Sequence, residues 1–474
     1  MPNLARLAEE ALDRHGDYPS LWFEGTWHTS GGQLDRATRI AGGLRGLGVR
    51  PGDRVAVVMA NCPEVAQVYQ AVWRAGAVVT PVVFLVTADE LRHVLADAGA
   101  VAVVTSPELV PKFGDLGLPT AVVGTPSFDA LLAAEPLPVA DRRDDDLAAL
   151  MYTGGTTGRS KGVALTHANL SSAGAASRAA SAVPGLTVGL TALPLSHSYG
   201  LLVTVGGLHA AEPPVSVLQR WFDPAGWLAL AEQHRVQVAA VVPSMLVMLL
   251  GQEPARYNLE TLRFVFSGAA PLPPAVAAAF ERRVPQARVL EGYGCTETGG
   301  IISASPPDAP RRGTVGRPVQ GVDLRLAEDG EILVRGPNVM RAYWGGAGVD
   351  GGWFATGDIG RLDEDGYLTI VDRKKDLIIR GGFNVYPRDV EDAVTAHPAV
   401  AMAAVVGRPD ERLGEEVVAF VELRAGASAT PEEIDAYLRE HLAATKRPRE
   451  IRLVERIPLT SVGKLDRKAL RALL

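Results

Sequence analysis

From residue 54 the chain alternates short apolar runs with stretches of helical periodicity. RVAVVMA (54–60) is a continuous apolar run bounded by turns, which reads as a strand buried on both faces. Asn61 then fits an N-cap, with Pro63 in the first turn of a helix. Val65, Val68, Tyr69 and Val72 mark that helix's apolar face, and Gly76 stops it. AVVTPVV (77–83) follows as a strand, and Thr87 to Glu90 form a capping box before the helix ELRHVLADAG and the strand VAVVT. AALMYT (148–153) repeats the strand pattern. This β-α-β-α-β order predicts an open parallel sheet with ligands at the carboxyl ends of its strands.

Between about residues 313 and 371 the texture changes. VDLRLA, EILVRG and GYLTIVD are separated by Gly/Asp turns and read as antiparallel strands. After Asp372 it changes again: AVAMAAVVG, EVVAFVEL and REIRLVE are strand candidates, and Thr430 to Glu433 form a second capping box. The expected division is an N-terminal domain over 1–372 and a small α+β domain over 373–474. No internal repeat is present.

Composition narrows the function class. With 474 residues, 47% hydrophobic and 21% charged, the chain is long enough for two or three ordinary globular domains. A net charge of −7, with no basic stripe of interleaved aromatics, argues against nucleic acid as a partner. Cys62 and Cys295 are the only cysteines, so neither a disulfide framework nor a zinc site is expected. The N-terminal stretch lacks a signal-peptide core, and the most apolar segment, VQVAAVVPSMLVMLL (236–250), is too short for a membrane span. A cytoplasmic protein is expected. Lysine is scarce, 7 of the 47 basic residues, and Lys161, Lys374, Lys375 and Lys464 all fall in motif-like segments.

The most informative stretch is MYTGGTTGRSKG (151–162). Gly154, Gly155 and Gly158 let backbone N–H groups converge, Thr153, Thr156 and Thr157 add hydroxyls, and Lys161 adds a mobile cation. Such a donor set suits a phosphate chain. It is neither a Walker A loop nor a G-x-G-x-x-G fingerprint, since both spacings fail. Four further segments accompany it: FVFSGAAPLP (264–273), LEGYGCTETGG (290–300), DGGWFATGDIGRLDEDGYLTIVDRKKDLIIRGGFNVYP (350–387) and PLTSVGKLDR (458–467).

Together, in this order and across essentially the whole chain, these segments resemble the adenylate-forming superfamily of acyl- and aryl-CoA ligases, firefly luciferase and the adenylation domains of peptide synthetases. The resemblance implies a large N-terminal domain of two α/β sheet layers plus a small β-barrel, followed by a small mobile C-terminal α+β domain. It implies ATP, Mg²⁺ and coenzyme A as cosubstrates and cofactors. The acid is activated as acyl-AMP and then passed to a thiol. Thr153 to Lys161 would grip the β- and γ-phosphates, although Gly154 stands where Ser is common and Ser160 where Pro is common. Gly268, Ala269 and Ala270 would line one side of adenine and Tyr293, within Glu291–Gly292–Tyr293–Gly294, the other. Thr296 would meet the α-phosphate and Glu297 would hold Mg²⁺. Asp358 and Arg373 would take the ribose, Lys375 would be the hinge, and Gly381 and Gly382 would border the thiol tunnel. Lys464 would bridge the acyl carboxylate and the α-phosphate.

The acyl pocket implied by the resemblance is lined by His197, Ser198, Tyr199, Gly200, Gly268, Gly292, Gly294, Cys295, Gly299 and Gly300. Relatives that activate acetate or propionate close it with a tryptophan where this chain has Gly294, and malonate-activating relatives put an arginine at Gly292. Amino-acid-activating domains carry an aspartate in the segment matching 193–200, which has none here. The expected substrate is therefore a bulky, mostly apolar acid, with CoA as acceptor or, alternatively, the phosphopantetheine of an acyl carrier protein.

Overall fold

The run at Arg54–Val58 is a strand whose Val55 to Val58 are fully buried. It lies inside a seven-stranded sheet ordered Ala342–Tyr343, Lys161–Thr166, Leu147–Thr153, Val78–Pro81, Arg54–Val58, Ala100–Thr105, Thr120–Val122. Burial on both faces is what makes the segment uniformly apolar. The five strands from Leu147–Thr153 to Thr120–Val122 are parallel, whereas Lys161–Thr166 turns back antiparallel. The computed structural model describes residues 3–153, 160–346, 348–349, 352–459 and 465–474.

A second sheet has nine strands, in the order Arg317–Pro318, Ser303–Ala304, Arg288–Tyr293, Phe264–Ser267, Val238–Val241, Val188–Thr191, Val215–Leu218, Pro19–Phe23, Thr26–Thr29. From Arg288–Tyr293 across to Pro19–Phe23 all neighbours are parallel. Strand order runs one way from Val188–Thr191 to Val238–Val241 and the other way to Val215–Leu218, so Val188–Thr191 is the topological switch point, where open α/β sheets form their ligand crevice.

The capping boxes at Thr87 and Thr430 form as expected, each hydroxyl accepting from the backbone N–H of Glu90 or Glu433. Asn61 does not cap its helix. Cys62 occupies the cap position without a side-chain bond, and Asn61 is buried. Its amide donates to the carbonyls of Leu193 (2.9 Å) and Gln219 (3.1 Å), and its oxygen accepts from Leu195 N (2.9 Å). Two loops that follow strands of the other sheet claim this amide, a tertiary demand stronger than a cap on a helix start that Pro63 already favours.

Residues 313–371 carry the expected strands: VDLRLA, EILVRG and GYLTIVD fall on Asp323–Leu326, Glu331–Arg335 and Leu368–Arg373. With Phe354–Leu362 they form a four-stranded sheet in the order Asp323–Leu326, Glu331–Arg335, Phe354–Leu362, Leu368–Arg373, the last two antiparallel. Arg317–Pro318 and Ala342–Tyr343 lie at the edges of the two large sheets. The chain divides into two compact units, Met1–Asp323 with Val334–Phe354, and Leu324–Leu333 with Ala355–Leu474. The second holds, besides most of that sheet, a five-stranded one built on the hairpin of Val400–Asp410 and Gly414–Leu423, with the helices Pro387–Thr395 and Pro431–His441 closing a valine-rich core. Among the described residues no helix is long and apolar enough to cross a membrane.

The N-terminal helix Leu4–His15 is pinned through side chains. Asn3 caps it and donates to the carbonyls of Trp73 and Ala140, while Leu4 N donates to Nδ1 of the buried His167 at 3.2 Å. Burial, reinforced by the nearby Arg142 charge, drives the His167 imidazole down from 6.5 to about 4. Between those values the unfolded chain binds the proton and the folded one does not, so stability is lost as pH falls from 6.5 toward 4. The full shift corresponds to about 3 kcal/mol. His167→Gln, which keeps an acceptor but no titration, should therefore narrow its stability deficit relative to wild type between pH 7 and pH 4.5. Thermal midpoints of both proteins across that range check this, and parallel profiles would refute it.

Candidate active site

Three of the segments singled out in the sequence follow parallel strands of the nine-stranded sheet and so emerge on one side of it. Residues 193–200 follow Val188–Thr191, residues 268–270 follow Phe264–Ser267, and residues 294–300 follow Arg288–Tyr293. His197 is the N-cap of the helix Ser198–Leu208, its Nδ1 accepting from Tyr199 N at 3.2 Å. The Tyr199 hydroxyl donates to the Phe266 carbonyl at 3.0 Å, and burial pushes this phenol up. Ser198 and Thr296 hydroxyls meet at 3.4 Å, so the switch-point loop and the 294–300 turn touch through side chains. Ala269, between Gly268 and Ala270, holds φ = 68°, a strained left-handed conformation for a residue with a Cβ. Such strain persists where surrounding structure dictates the backbone.

Glu291, Gly292 and Tyr293 end their strand half-buried, Gly292 and Tyr293 paired with Ala304 and Ser303. Residues 295–300 then make a tight turn in which Thr298 N and Gly300 N both donate to the Cys295 carbonyl. That turn is strapped from outside by residues 337–344. Buried Asn338 donates to the carbonyls of Thr298 (3.0 Å) and Ile301 (2.7 Å), and Met340 N donates to the Glu297 carbonyl at 2.7 Å. The Tyr343 hydroxyl donates to Glu297 Oε1 at 2.9 Å, and burial together with the Glu297 charge raises this phenol. Asn169, on the helix His167–Ser181, holds the strap's Pro337 and Val339 carbonyls at 2.7 and 2.9 Å. The strap lies outside the five sequence segments. Its only signal is the polar Asn338 within an otherwise apolar PNVM, a pattern weak in isolation.

Thr153 and Lys161 are direct partners across the antiparallel pair that flanks the Gly/Thr-rich loop, so their side chains share a face. Lys161 Nζ lies 5.7 Å from the Tyr343 ring centroid, within cation–π range. His93 Nε2 meets the Ser160 carbonyl at 3.2 Å at the loop's end. Gly154, Gly155, Thr156, Thr157 and Gly158 lie outside the described residues, as does Lys464.

In the second unit Asp358 and Arg373 are register partners and form an ion pair, Arg373 Nε to Asp358 Oδ1 at 3.1 Å, the carboxylate buried and the guanidinium exposed. Gly357, at φ = 75°, turns the T-G-D segment, and its N–H donates to Glu331 Oε1. Lys375 follows on an exposed one-turn 3₁₀ segment, beside Lys374, which pairs with Asp329 and Glu331 at 2.7 Å. Gly381 and Gly382, at φ = 57° and 82°, form the two-residue turn of the hairpin Ile378–Arg380 and Phe383–Val385, a geometry that favours glycine at both positions.

One spatial argument from the sequence fails. Gly294 does not leave room for a ligand: a Cβ there would lie 2.4 Å from the Gly300 carbonyl oxygen and 2.6 Å from Ile301 N. Gly200 is filled in the same way by Pro194 and Leu195, and Gly299 by Ala173. These positions are small because protein passes against them. Gly292 differs, since a Cβ there meets nothing nearer than Ser303 O at 3.7 Å. At Gly268 a Cβ would come within 3.3 Å of the Tyr199 ring.

The chain matches the family described as "AMP-binding enzyme" over residues 8–344 and "AMP-binding enzyme C-terminal domain" over residues 389–464. It is similar to a feruloyl-CoA synthase of Amycolatopsis, 36% identical over 449 residues that cover 91% of this chain and 90% of that protein. It is also similar to a long-chain-fatty-acid–CoA ligase of Bacillus subtilis, 32% identical, covering 99% and 94%. Among solved structures, ATP-bound MatB from Rhodopseudomonas palustris superposes with a TM-score of 0.91 at 32% identity, covering 100% of this chain and 99% of that one.

The glycine geometry gives a direct test. Gly294→Ala should cost about 1–3 kcal/mol, because backbone must move to admit the methyl group. Gly292→Ala should fall within about 0.5 kcal/mol of wild type. Denaturant midpoints decide it, and equal effects at the two positions would contradict the packing described.

Proposed function

The chain belongs to the AMP-binding enzymes of the adenylate-forming superfamily, and on that premise we propose that it is an ATP-dependent acid–thiol ligase forming acyl-CoA. The observation that carries this is the match to both family domains by a chain whose full-length relatives are named CoA synthases and ligases. In the first half-reaction an acid oxygen attacks the α-phosphorus of ATP, the bond to the bridging oxygen breaks, and pyrophosphate leaves with that electron pair. In the second, the CoA sulfur attacks the acyl carbonyl, its proton is lost, and AMP leaves. Neither half needs a covalent enzyme intermediate, so catalysis rests on positioning and on charge placed where negative charge grows.

In this reading Thr153 to Lys161 bind the β- and γ-phosphates, with Lys161 as the fixed cation. Gly268 to Ala270 and Tyr293 hold adenine, Thr296 the α-phosphate, and Asp358 with Arg373 the ribose. The Asp358–Arg373 ion pair supports the last assignment, because the guanidinium orients a buried carboxylate that can accept hydrogen bonds from the ribose hydroxyls. His197 borders the path of the acid's carboxylate, and Lys464 bridges that carboxylate and the phosphate as they react. Glu297 suits a magnesium ion. Among the described residues no cluster of three or more His, Cys, Asp or Glu could hold a metal, whereas magnesium carried by nucleotide phosphates needs only one or two carboxylates. When bound it would draw charge from the phosphates, and Glu297 would orient it.

The acid is a bulky, mostly apolar one, with Gly292 lining its pocket. The room for a Cβ at Gly292, which would make only an ordinary contact with the Ser303 carbonyl, supports this, as do relatives named for feruloyl and long-chain fatty acyl groups. CoA is the acceptor retained, since none of these relatives is named for loading a carrier protein. The boundary after Asp372 and a pivot at Lys375 are kept as the device that changes the enzyme between half-reactions.

Incubation with ATP, magnesium, CoA and a panel of hydroxycinnamic and fatty acids should give acid-dependent AMP and pyrophosphate and a thioester detectable by mass. No turnover with any acid, or thioester only on a carrier protein, would overturn the proposal. Lys464→Ala should reduce adenylate formation by about two to three orders of magnitude while sparing thioester formation from supplied acyl-adenylate. Lys375→Pro should do the opposite, because proline fixes φ at a residue that must change it. Equal losses in both half-reactions would remove the corresponding assignment.

A further inference from the structure

Tyr343 lies outside every motif that the sequence singles out, yet it meets two of the charges assigned to the nucleotide. Its short strand pairs with Lys161–Thr166, with Tyr343 opposite Val163, two residues past Lys161. That register carries the ring to 5.7 Å from the Lys161 ammonium. The hydroxyl at the ring's far end donates to Glu297 Oε1 at 2.9 Å, and the backbone three residues earlier holds the Glu297 carbonyl. Glutamate and lysine side chains have many rotamers, and fixing them when ligand binds costs affinity. A neutral phenol that engages both in advance removes that cost. It also receives each charge through an uncharged group, so neither has to be neutralised by the other.

We propose that Tyr343 is a positioning residue for the nucleotide: its hydroxyl sets the plane of the Glu297 carboxylate and its ring holds the Lys161 ammonium. The inference rests on the reading above, in which Glu297 faces the metal ion and Lys161 the phosphates. It assigns the two contacts separable roles. The hydroxyl serves metal-dependent binding, and the ring serves the metal-independent hold on phosphate.

Calorimetric ATP binding, with excess chelator and with saturating magnesium, separates them without turnover. Tyr343→Phe keeps the ring, so ATP affinity in chelator should stay within about twofold of wild type, while the gain in affinity on adding magnesium falls about tenfold, as for loss of a partner to a metal-binding side chain. The magnesium concentration for half-maximal pyrophosphate exchange should rise by a similar factor. Tyr343→Leu should lose affinity in chelator as well. A magnesium gain in Tyr343→Phe equal to wild type, or equal losses with and without the metal, would overturn the inference. Glu297→Gln serves as the control. If it too leaves the magnesium gain intact, the reading of Glu297 fails and this inference with it; if it abolishes the gain while Tyr343→Phe does not, only Tyr343 is misassigned. Thermal midpoints of each variant establish that folded proteins are compared.

Discussion

Backbone that leaves a sheet to build a site must still satisfy its buried carbonyls and amides, and here three buried asparagines do much of it. Asn61 takes up groups of the switch-point loop, Asn338 those of the 295–301 turn, and Asn169 the strap that carries Asn338. Each carboxamide offers donors and an acceptor on one short, stiff side chain, which suits a loop with no neighbouring strand. Leaving any of these groups unmet would cost about 1–3 kcal/mol. The irregular parts of the site are thus held by tertiary hydrogen bonds that regular secondary structure could not supply.

From that constraint the site's chemistry follows. With the turn held, Thr296 meets Ser198, and Glu297 is engaged at both its backbone and its carboxylate. The cation at Lys161 sits on a strand pinned in register, so its reach is set by one side chain and not by a loop. Phosphoryl and acyl transfer by positioning depends on such fixed donors, because a charge already in place needs no reorganisation when the transition state forms.

The regular elements were legible from local signals. Hydrophobic runs located Arg54–Val58 and Leu147–Thr153, and the Thr87 and Thr430 capping boxes marked true helix starts. The resemblance set Asp358 and Arg373 at one site, and one hairpin brings these two residues, fifteen positions apart, into register. What failed did so for tertiary reasons. Asn61 looks like a cap and is instead claimed by loops of the other sheet. A glycine reads identically in sequence whether or not backbone passes against it, so Gly294 and Gly292 look alike there. Asn338 and Tyr343 act across sequence separations of 40 and 46 residues, beyond any local pattern.

The same separation bears on how such an enzyme can be remodelled. Segment 291–300 is an obvious piece to exchange when redirecting acid choice, since it is contiguous and carries much of the expected pocket. Its shape, however, is kept by amide and phenol groups encoded in 338–343, themselves held by Asn169. A graft of the first segment alone imports a turn without its fastenings. The heritable module is discontinuous: turn, strap and anchoring helix form one cassette written in three parts of the gene.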